Sequence, residues 1–437
     1  MSHLSHLSDD QVISDLLPRK FGRLGQIWTG VLILLCLIGA FAYYRQLRYG
    51  LSVTHMRDYV SWGIYISNFV FFVAISLVGS LVTAIFRLAN VRWSTPLTRI
   101  AEIIAVSAIL FASLIIIVDM GRPERLLNLF IHGRIQSPIL WDVIVITTYL
   151  IISLLLLYLP AIPDIKILID RADPSLKKFH GLYRFLGSFW KGTKDQKRIN
   201  HLSILRLSIL IIPVAFCIHT VTSWLFATTF RPGWDSTNFG AYFISGAFLV
   251  GAGAVVTAMY IFRQTYHLEN YITHLHFDRM AKVLVMLALL YLYFNINEYL
   301  IPAFKMKKSE SAHLEELFVG QYAFLFWGAI CTGMIIPILI LITKKGRRPL
   351  PVFIAGVLVV IGAWFKRYLI VTPTLLHPFL PMQDVPSSYL HYFPSWEEWA
   401  IAIGSLSGAL LIITLFVRIY PIIPIHETLI EKNEIKE

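Results

Sequence analysis

Apolar residues fall along this chain in ten long runs, near 26–44, 62–86, 100–118, 138–159, 204–228, 239–262, 281–301, 321–343, 350–371 and 396–417. A bilayer core of about 30 Å takes about 20 residues of helix to cross, and each run is long enough to span it. Most runs are bounded by Arg, Lys, Pro or Gly, and aromatics gather at their ends: Tyr43, Tyr44, Trp93, Trp141, Trp224, Trp234, Trp396 and Trp399. That placement matches the aromatic belt of a membrane interface. Because hydrocarbon offers no partner for backbone N–H and C=O groups, uninterrupted runs of this length imply helices. The pattern predicts an all-α integral membrane protein of about ten transmembrane helices. It divides into an N-terminal tail (1–25), spans one to five (26–228), spans six to ten (229–418) and a C-terminal tail (419–437).

Composition agrees with the pattern. Apolar residues make up 57% of the 437, charged residues only 15%, and the mean hydropathy is +0.67. A soluble domain carries roughly a quarter charged residues. The first 25 residues are polar and the run after them is too long for a cleaved signal core, so no secretory signal is expected. The net charge of +12 would suit nucleic acid, but its distribution argues for topology instead. The even-numbered gaps and both tails hold 26 of the 38 Lys and Arg, and the odd-numbered gaps hold 12. A basic excess marks the cytoplasmic side, which places both termini inside. The largest inner loop, 160–203, carries Lys177, Lys178, Lys191, Lys194, Lys197 and Arg198. It reads as a topology signal that also meets anionic lipid, or as a docking site for a cytoplasmic partner. Gly246, Gly251 and Gly253 in span six and Pro213 in span five suggest close helix packing.

In a bilayer the informative residues are the few polar ones at depth. Span three ends outward in Asp119-Met120-Gly121-Arg122-Pro123. Span four opens in Ser137-Pro138, a cap followed by a first helical position, which puts Asp142 about one turn inside the helix. Span five carries His219 roughly two turns before its outer end, followed by Trp224 and then Arg231-Pro232-Gly233-Trp234-Asp235. Asp119, Asp142, His219 and Asp235 are thus expected at similar depth on the outer side. Bland readings remain open. Asp119 would pair with Arg122 or Arg125, Asp235 would be a solvated cap, and His219 would bond a carbonyl. Together, carboxylates and an imidazole at one face can bind a polar head group and exchange protons with water. A quinol needs that combination, since its two hydroxyls lose protons on oxidation while its body is lipid-soluble. Arg122 would orient the head group or a docking subunit, and Trp141, Trp234 and Asp235 would form a rim.

Elsewhere, Glu298 with Lys366 or Arg367 is expected to form a structural ion pair, or else to continue a polar path. Tyr65 and Asn68 sit on the outer half of span two. Glu102 would be either a locally paired acid or the inner mouth of a proton route. A haem needs imidazoles inside the bundle, and His219 is the one histidine in a span interior. Cys36, Cys217 and Cys331 are widely spaced within apolar runs, and no phosphate-binding fingerprint occurs. No haem, metal or iron–sulfur cluster is therefore expected in this chain, and electrons from a quinol would leave to another subunit.

These stretches resemble the NrfD/PsrC (polysulfide reductase) family of quinone-interacting membrane subunits. The likeness rests on D-M-G-R-P at 119–123, S-P-I-L-W-D at 137–142, H-T-V-T-S-W at 219–224 and R-P-G-W-D at 231–235. M-A-K-V at 280–283, F-L-P at 379–381 and Y-F-P-S-W at 392–396 extend it, so that it covers about Trp62 to Pro421. The ten-helix branch, as in alternative complex III, is similar in span count. The resemblance implies two four-helix bundles plus two peripheral helices, in a bacterial inner membrane. It implies menaquinone or ubiquinone as substrate on the outer side of the first bundle, with quinol contacts at Asp119, Asp142 and His219. The implied partners are a periplasmic ferredoxin-like iron–sulfur subunit, a molybdopterin-type or multihaem cytochrome subunit, other membrane subunits and lipids, with no nucleic acid. Relatives of that branch typically carry histidine at the positions of Asp119 and Asp235, and an acid where this chain has Leu225. Two other functions stay open: a proton-translocating module using Tyr65, Asn68, Glu102 and Glu298, and a structural anchor without an active quinone site.

Overall fold

The computed structural model describes residues 7–434 apart from 172–173, 230, 306, 380–382, 387–388 and 390. Leu380 and Pro381 of the F-L-P stretch therefore lie outside the described residues. The described chain is helical throughout, without strands. A short helix, α1 (Asp9–Leu16), precedes α2 (Arg23–Tyr49), α3 (Ile64–Leu88) and α4 (Thr95–Asp119). After α5 (Leu126–Ile131) come α6 (Pro138–Tyr158), α7 (Ala161–Arg171), α8 (His180–Gly187) and α9 (Lys194–Ala227). The second half holds α10 (Phe239–Tyr266), α11 (His274–Lys305), α12 (Lys308–Phe318), α13 (Ala323–Ile330) and α14 (Ile336–Leu341). It closes with α15 (Pro349–Leu375), α16 (Trp396–Ile419) and α17 (Ile425–Glu434).

Among the described residues, nine helices are long and apolar enough to cross a membrane, with α13 and α14 together forming one of them. The helix α3, apolar over Ile64–Leu77, adds to these. The observed spans start and stop within a few residues of the apolar runs, except at the basic-rich inner end. There α9 begins ten residues before its run. Its 34 residues reach roughly 50 Å at 1.5 Å per residue, so its first turns stand clear of hydrocarbon.

The local sequence sets the helix ends. Pro138 and Pro349 occupy first positions, where a missing N–H costs nothing. Ser395 and Glu398 form a capping box, Oγ of Ser395 accepting from the Glu398 N–H at 3.3 Å and the Glu398 carboxylate accepting from the Ser395 N–H at 2.9 Å. Between α13 and α14 the chain makes one π-turn, Cys331–Ile335. Pro337 lies two residues beyond it and has no N–H to give to Gly333, which favours a widened turn there.

Apolar side chains gain little from leaving lipid for one another, so small residues decide where helices touch. The helix α3 is central and packs against α4, α9, α10 and α15. A Cβ on Gly362 of α15 would meet the Gly333 nitrogen at 2.4 Å, so these two backbones touch at the π-turn. At the periphery α2 pairs with α16, where a Cβ on Gly404 would sit 2.9 Å from Gly39 Cα. The expected close packing of the glycine-rich sixth span appears as the contact of Gly253 with Gly356, whose added Cβ would lie 2.9 Å from the Gly253 carbonyl oxygen.

The first and last described helices meet at the basic-rich end of the bundle, where Lys432 of α17 bonds Asp9 of α1. Beneath them Arg99 of α4 donates to Asp164 of α7 at 2.7 Å and to the Pro421 carbonyl at 3.0 Å, with both charged groups fully buried. Asp164 also accepts the Ile425 and His426 N–H groups at 3.0 and 2.8 Å, capping α17. A buried acid with one ion-pair partner and two backbone donors is well satisfied.

Candidate functional site

Asp142 lies in the second turn of α6 and is 2% exposed. It is bonded to Thr222 of α9, whose Oγ1 stands 2.8 Å from Asp142 Oδ1 and 2.7 Å from the Ile218 carbonyl. A hydroxyl has one proton, so the two contacts share it in a three-centre bond. The Thr222 hydroxyl donates within reach of both acceptors, and a proton on the Asp142 carboxyl would supply a second donor between the two side chains. The pair can therefore register the arrival and loss of a proton.

His219 sits three residues before Thr222, on the same face of α9. It is fully buried, and neither ring nitrogen has a partner in hydrogen-bond geometry, although the Ala215 carbonyl one turn back lies near. Its ring lies 6.1 Å from that of Phe243 on α10. Phe243 in turn lies under the Arg367 guanidinium of α15 at 4.5 Å, and its carbonyl accepts from Arg367 Nη2 at 3.2 Å. Arg367 Nη1 is buried without a partner. Neighbouring side chains thus run from Asp142 of α6 and His219 of α9 past the Phe243 ring of α10 to Arg367 of α15, and nitrogens of His219 and Arg367 lack partners. Buried polar atoms are nearly always satisfied, so such orphans mark a place where a polar ligand or water fits.

Asp119 ends α4 but joins a different network. Tyr65 donates to Gln46 Oε1 at 2.8 Å, and Gln46 Nε2 donates to the Val118 carbonyl at 2.8 Å. Asp119 feels the charge of Glu398, which is fully buried and accepts from the His55 N–H at 2.8 Å and from Tyr392. Its Oδ1 is buried and unpartnered, and among the described residues it forms no ion pair with Arg122 or Arg125. No hydrogen bond or ion pair among the described residues joins Asp119 to Asp142 or His219. The structure therefore bonds Asp142 to Thr222, with His219 one turn away on the same helix, while Asp119 lies at the end of α4 beside the Tyr65–Gln46–Val118 bonds.

The remaining residues fall as follows. Arg122 and Asp235 are exposed. Trp234 is buried, donates to the Ile370 carbonyl at 2.8 Å and stacks on Trp62 at 6.0 Å. Trp141 packs edge-on to Trp224 at 6.3 Å and bonds the Ile135 carbonyl. Asn68 accepts from Trp364 Nε1 at 2.7 Å. Glu102 is locally paired, 3.5 Å from Arg87, which also reaches Glu427 at 3.6 Å.

The expected ion pair of Glu298 with Lys366 or Arg367 does not form. Glu298 instead accepts from Ser236 at 2.8 Å and from Asn238 at 3.0 Å, both in the loop before α10. These neutral donors reach it along the outer surface, while Lys366 turns inward. Lys366 Nζ donates to the Tyr299 hydroxyl at 2.9 Å and lies 4.4 Å from the Phe326 ring. Over Glu298 lies a small, partly open cleft, lined also by Tyr242, Tyr299, Glu310, His313 and Thr374. Burial, with His377 and Lys366 nearby, pushes the His313 imidazole down to about 3 and keeps it neutral.

Thr222, Gln46 and Glu398 are the participants that the hydropathy pattern does not single out. A threonine in an apolar helix ordinarily bonds its own preceding turn, and Thr222 carries no sequence mark that it also faces an acid on another helix. Glu398 is visible as a helix-opening acid, but its burial depends on Tyr392 and on His55, which is distant in sequence.

A polytopic helical bundle of this kind is a multi-pass membrane protein, and sequence comparison gives the family. The chain belongs to the family described as "Polysulphide reductase, NrfD", which matches residues 52–378. It is 28% identical to a Halobacterium salinarum protein provisionally named as a membrane subunit of dimethyl sulfoxide reductase, over 82% of this chain and 79% of that one. It is 26% identical to a subunit of the selenate reductase of Mesobacillus selenatarsenatis, over 93% and 97%. It is 22% identical to "Menaquinone reductase, integral membrane subunit" of Nitratidesulfovibrio vulgaris, over 88% and 89%.

Proposed function

We propose that this chain is the quinone-interacting membrane anchor of a respiratory oxidoreductase, taking quinol or quinone at the outer ends of α6 and α9. The observation that carries this reading is His219, fully buried with neither ring nitrogen in hydrogen-bond geometry, one turn from the Asp142–Thr222 pair. Oxidation of a quinol releases two electrons and two protons. His219 and Asp142 are the acceptors for the protons, and the reverse direction uses the same groups as donors. Asp119, with an unpartnered carboxylate oxygen at the outer end of α4, belongs to this reading as an acceptor at the aqueous edge. The electrons pass to an extrinsic iron–sulfur subunit on the periplasmic side, which serves a molybdopterin-type or multihaem partner. The reductase names of the relatives support this assignment, and one of them names menaquinone. Both termini face the cytoplasm in this arrangement, by the basic excess of the inner end. The expected result for His219→Leu is an assembled complex that loses its quinone on purification. Extraction and chromatography of bound quinone checks it, and full retention would overturn the assignment.

Lys366 favours a second reading, proton translocation. It is a buried cation with no carboxylate within 4.0 Å among the described residues, close to the cavity over Glu298. Tyr65, Asn68 and Glu298 lie on the outer half, while Glu102 is held by Arg87 at the inner end. On this reading, Lys366→Met lowers the protons released per quinol oxidised in proteoliposomes but spares electron transfer. An unchanged ratio counts against it.

A further inference from the structure

The inner loop between α7 and α9 contains a small platform with two unlike faces. One face of α8 is fixed to the ends of the spans. Tyr183 is fully buried and donates to the Ile419 carbonyl at the end of α16, at 2.6 Å. Tyr158 at the end of α6 donates to the Leu186 carbonyl, at 2.6 Å. Gly187 packs on α7, where an added Cβ would meet Ile165 at 2.8 Å. These contacts hold α8 level with the last turns of two spans, which is the depth of the inner interface.

The opposite face is apolar and uncovered. Leu182, Phe185 and Phe189 follow one another at three- and four-residue spacing, and Phe185 is 80% exposed. Around them, residues 176–198 carry seven Lys and Arg (Lys177, Lys178, Arg184, Lys191, Lys194, Lys197 and Arg198) against the single acid Asp195. All seven are exposed, and none forms an ion pair among the described residues. An apolar stripe bordered by free cations at interface depth complements a leaflet of anionic lipid, acyl chains for the stripe and headgroups for the charges. An acidic protein would answer the charges but not the phenylalanines at that depth.

We propose that α8 and the turn that follows it form an interfacial anchor, with Leu182, Phe185 and Phe189 immersed in the inner leaflet and the surrounding lysines gripping anionic lipid headgroups. The anchor is fixed to α16 by its Tyr183 and to α6 by that helix's Tyr158, so lipid composition at the inner surface acts directly on the ends of both spans.

The test uses the full chain, with Cys36, Cys217 and Cys331 replaced by Ser, in nanodiscs of phosphatidylcholine with phosphatidylglycerol. A nitroxide on Phe185→Cys is expected to be accessible to oxygen and shielded from a water-soluble nickel chelate. One on Lys178→Cys is expected to show the reverse. A label at 185 open to nickel, or shielded from both reagents, overturns the proposal, the second result pointing to a protein contact. Native mass spectrometry of short-chain phosphatidylglycerol binding is the second arm. Lys177→Gln, Lys178→Gln and Lys191→Gln are each expected to weaken binding about fivefold. Unchanged affinity in the triple variant overturns the ionic half of the proposal.

Discussion

Asp142→Asn is expected to abolish quinone-linked turnover, with kcat/KM falling roughly 10²–10⁴-fold, the range for removal of a positioned acid or base. Asparagine keeps the shape, and its Oδ1 can still accept from Thr222, so helix packing is preserved and the complex assembles. What it cannot do is take up or release a proton. The distances of 2.8 and 2.7 Å from Thr222 Oγ1 to two acceptors make that proton the distinguishing feature of the site. Quinol-dependent reduction in membranes gives the rate, and a native gel reports assembly. Full activity in the assembled variant would remove Asp142 from the chemistry.

The largest expected loss of stability follows Asp164→Ala. It strands the Arg99 guanidinium in the protein interior and takes the acceptor from the Ile425 and His426 N–H groups. Breaking a buried pair by removing one partner costs about 3–5 kcal/mol. A markedly lowered thermal midpoint is expected, with α17 open to protease. The double variant Arg99→Met, Asp164→Leu is expected to recover part of this, because no unpaired charge is left behind. A double variant no better than the single would mean that capping α17, rather than the ion pair, is what matters.

The ten spans were legible because hydrocarbon imposes its thickness on the sequence, run by run. Asp142 was legible too, since Ser137 and Pro138 fix where α6 begins and so how deep the acid lies. Separation across the bundle was not. The sequence puts Asp119, Asp142 and His219 at similar expected heights, because height follows from position along each span. Which way each faces depends on how α4, α6 and α9 are rotated about their axes, and that is set by packing around α3. The same blindness explains Glu298. Its approximate level with Lys366 suggested a pair, while the loop residues Ser236 and Asn238 reached it first. Glu102 needed no such knowledge, because a basic residue at the nearby inner end of α3 was within reach.

The π-turn at Cys331–Ile335 bears on how this span can change over generations. In a regular helix one inserted residue turns everything after it by about 100°. A widened turn takes up that residue locally, so both ends keep their faces. The segment before the turn, which carries Phe326 against Lys366, and the segment after Pro337 are thereby released from a common register. Each can be revised by natural selection without disturbing the other's fit.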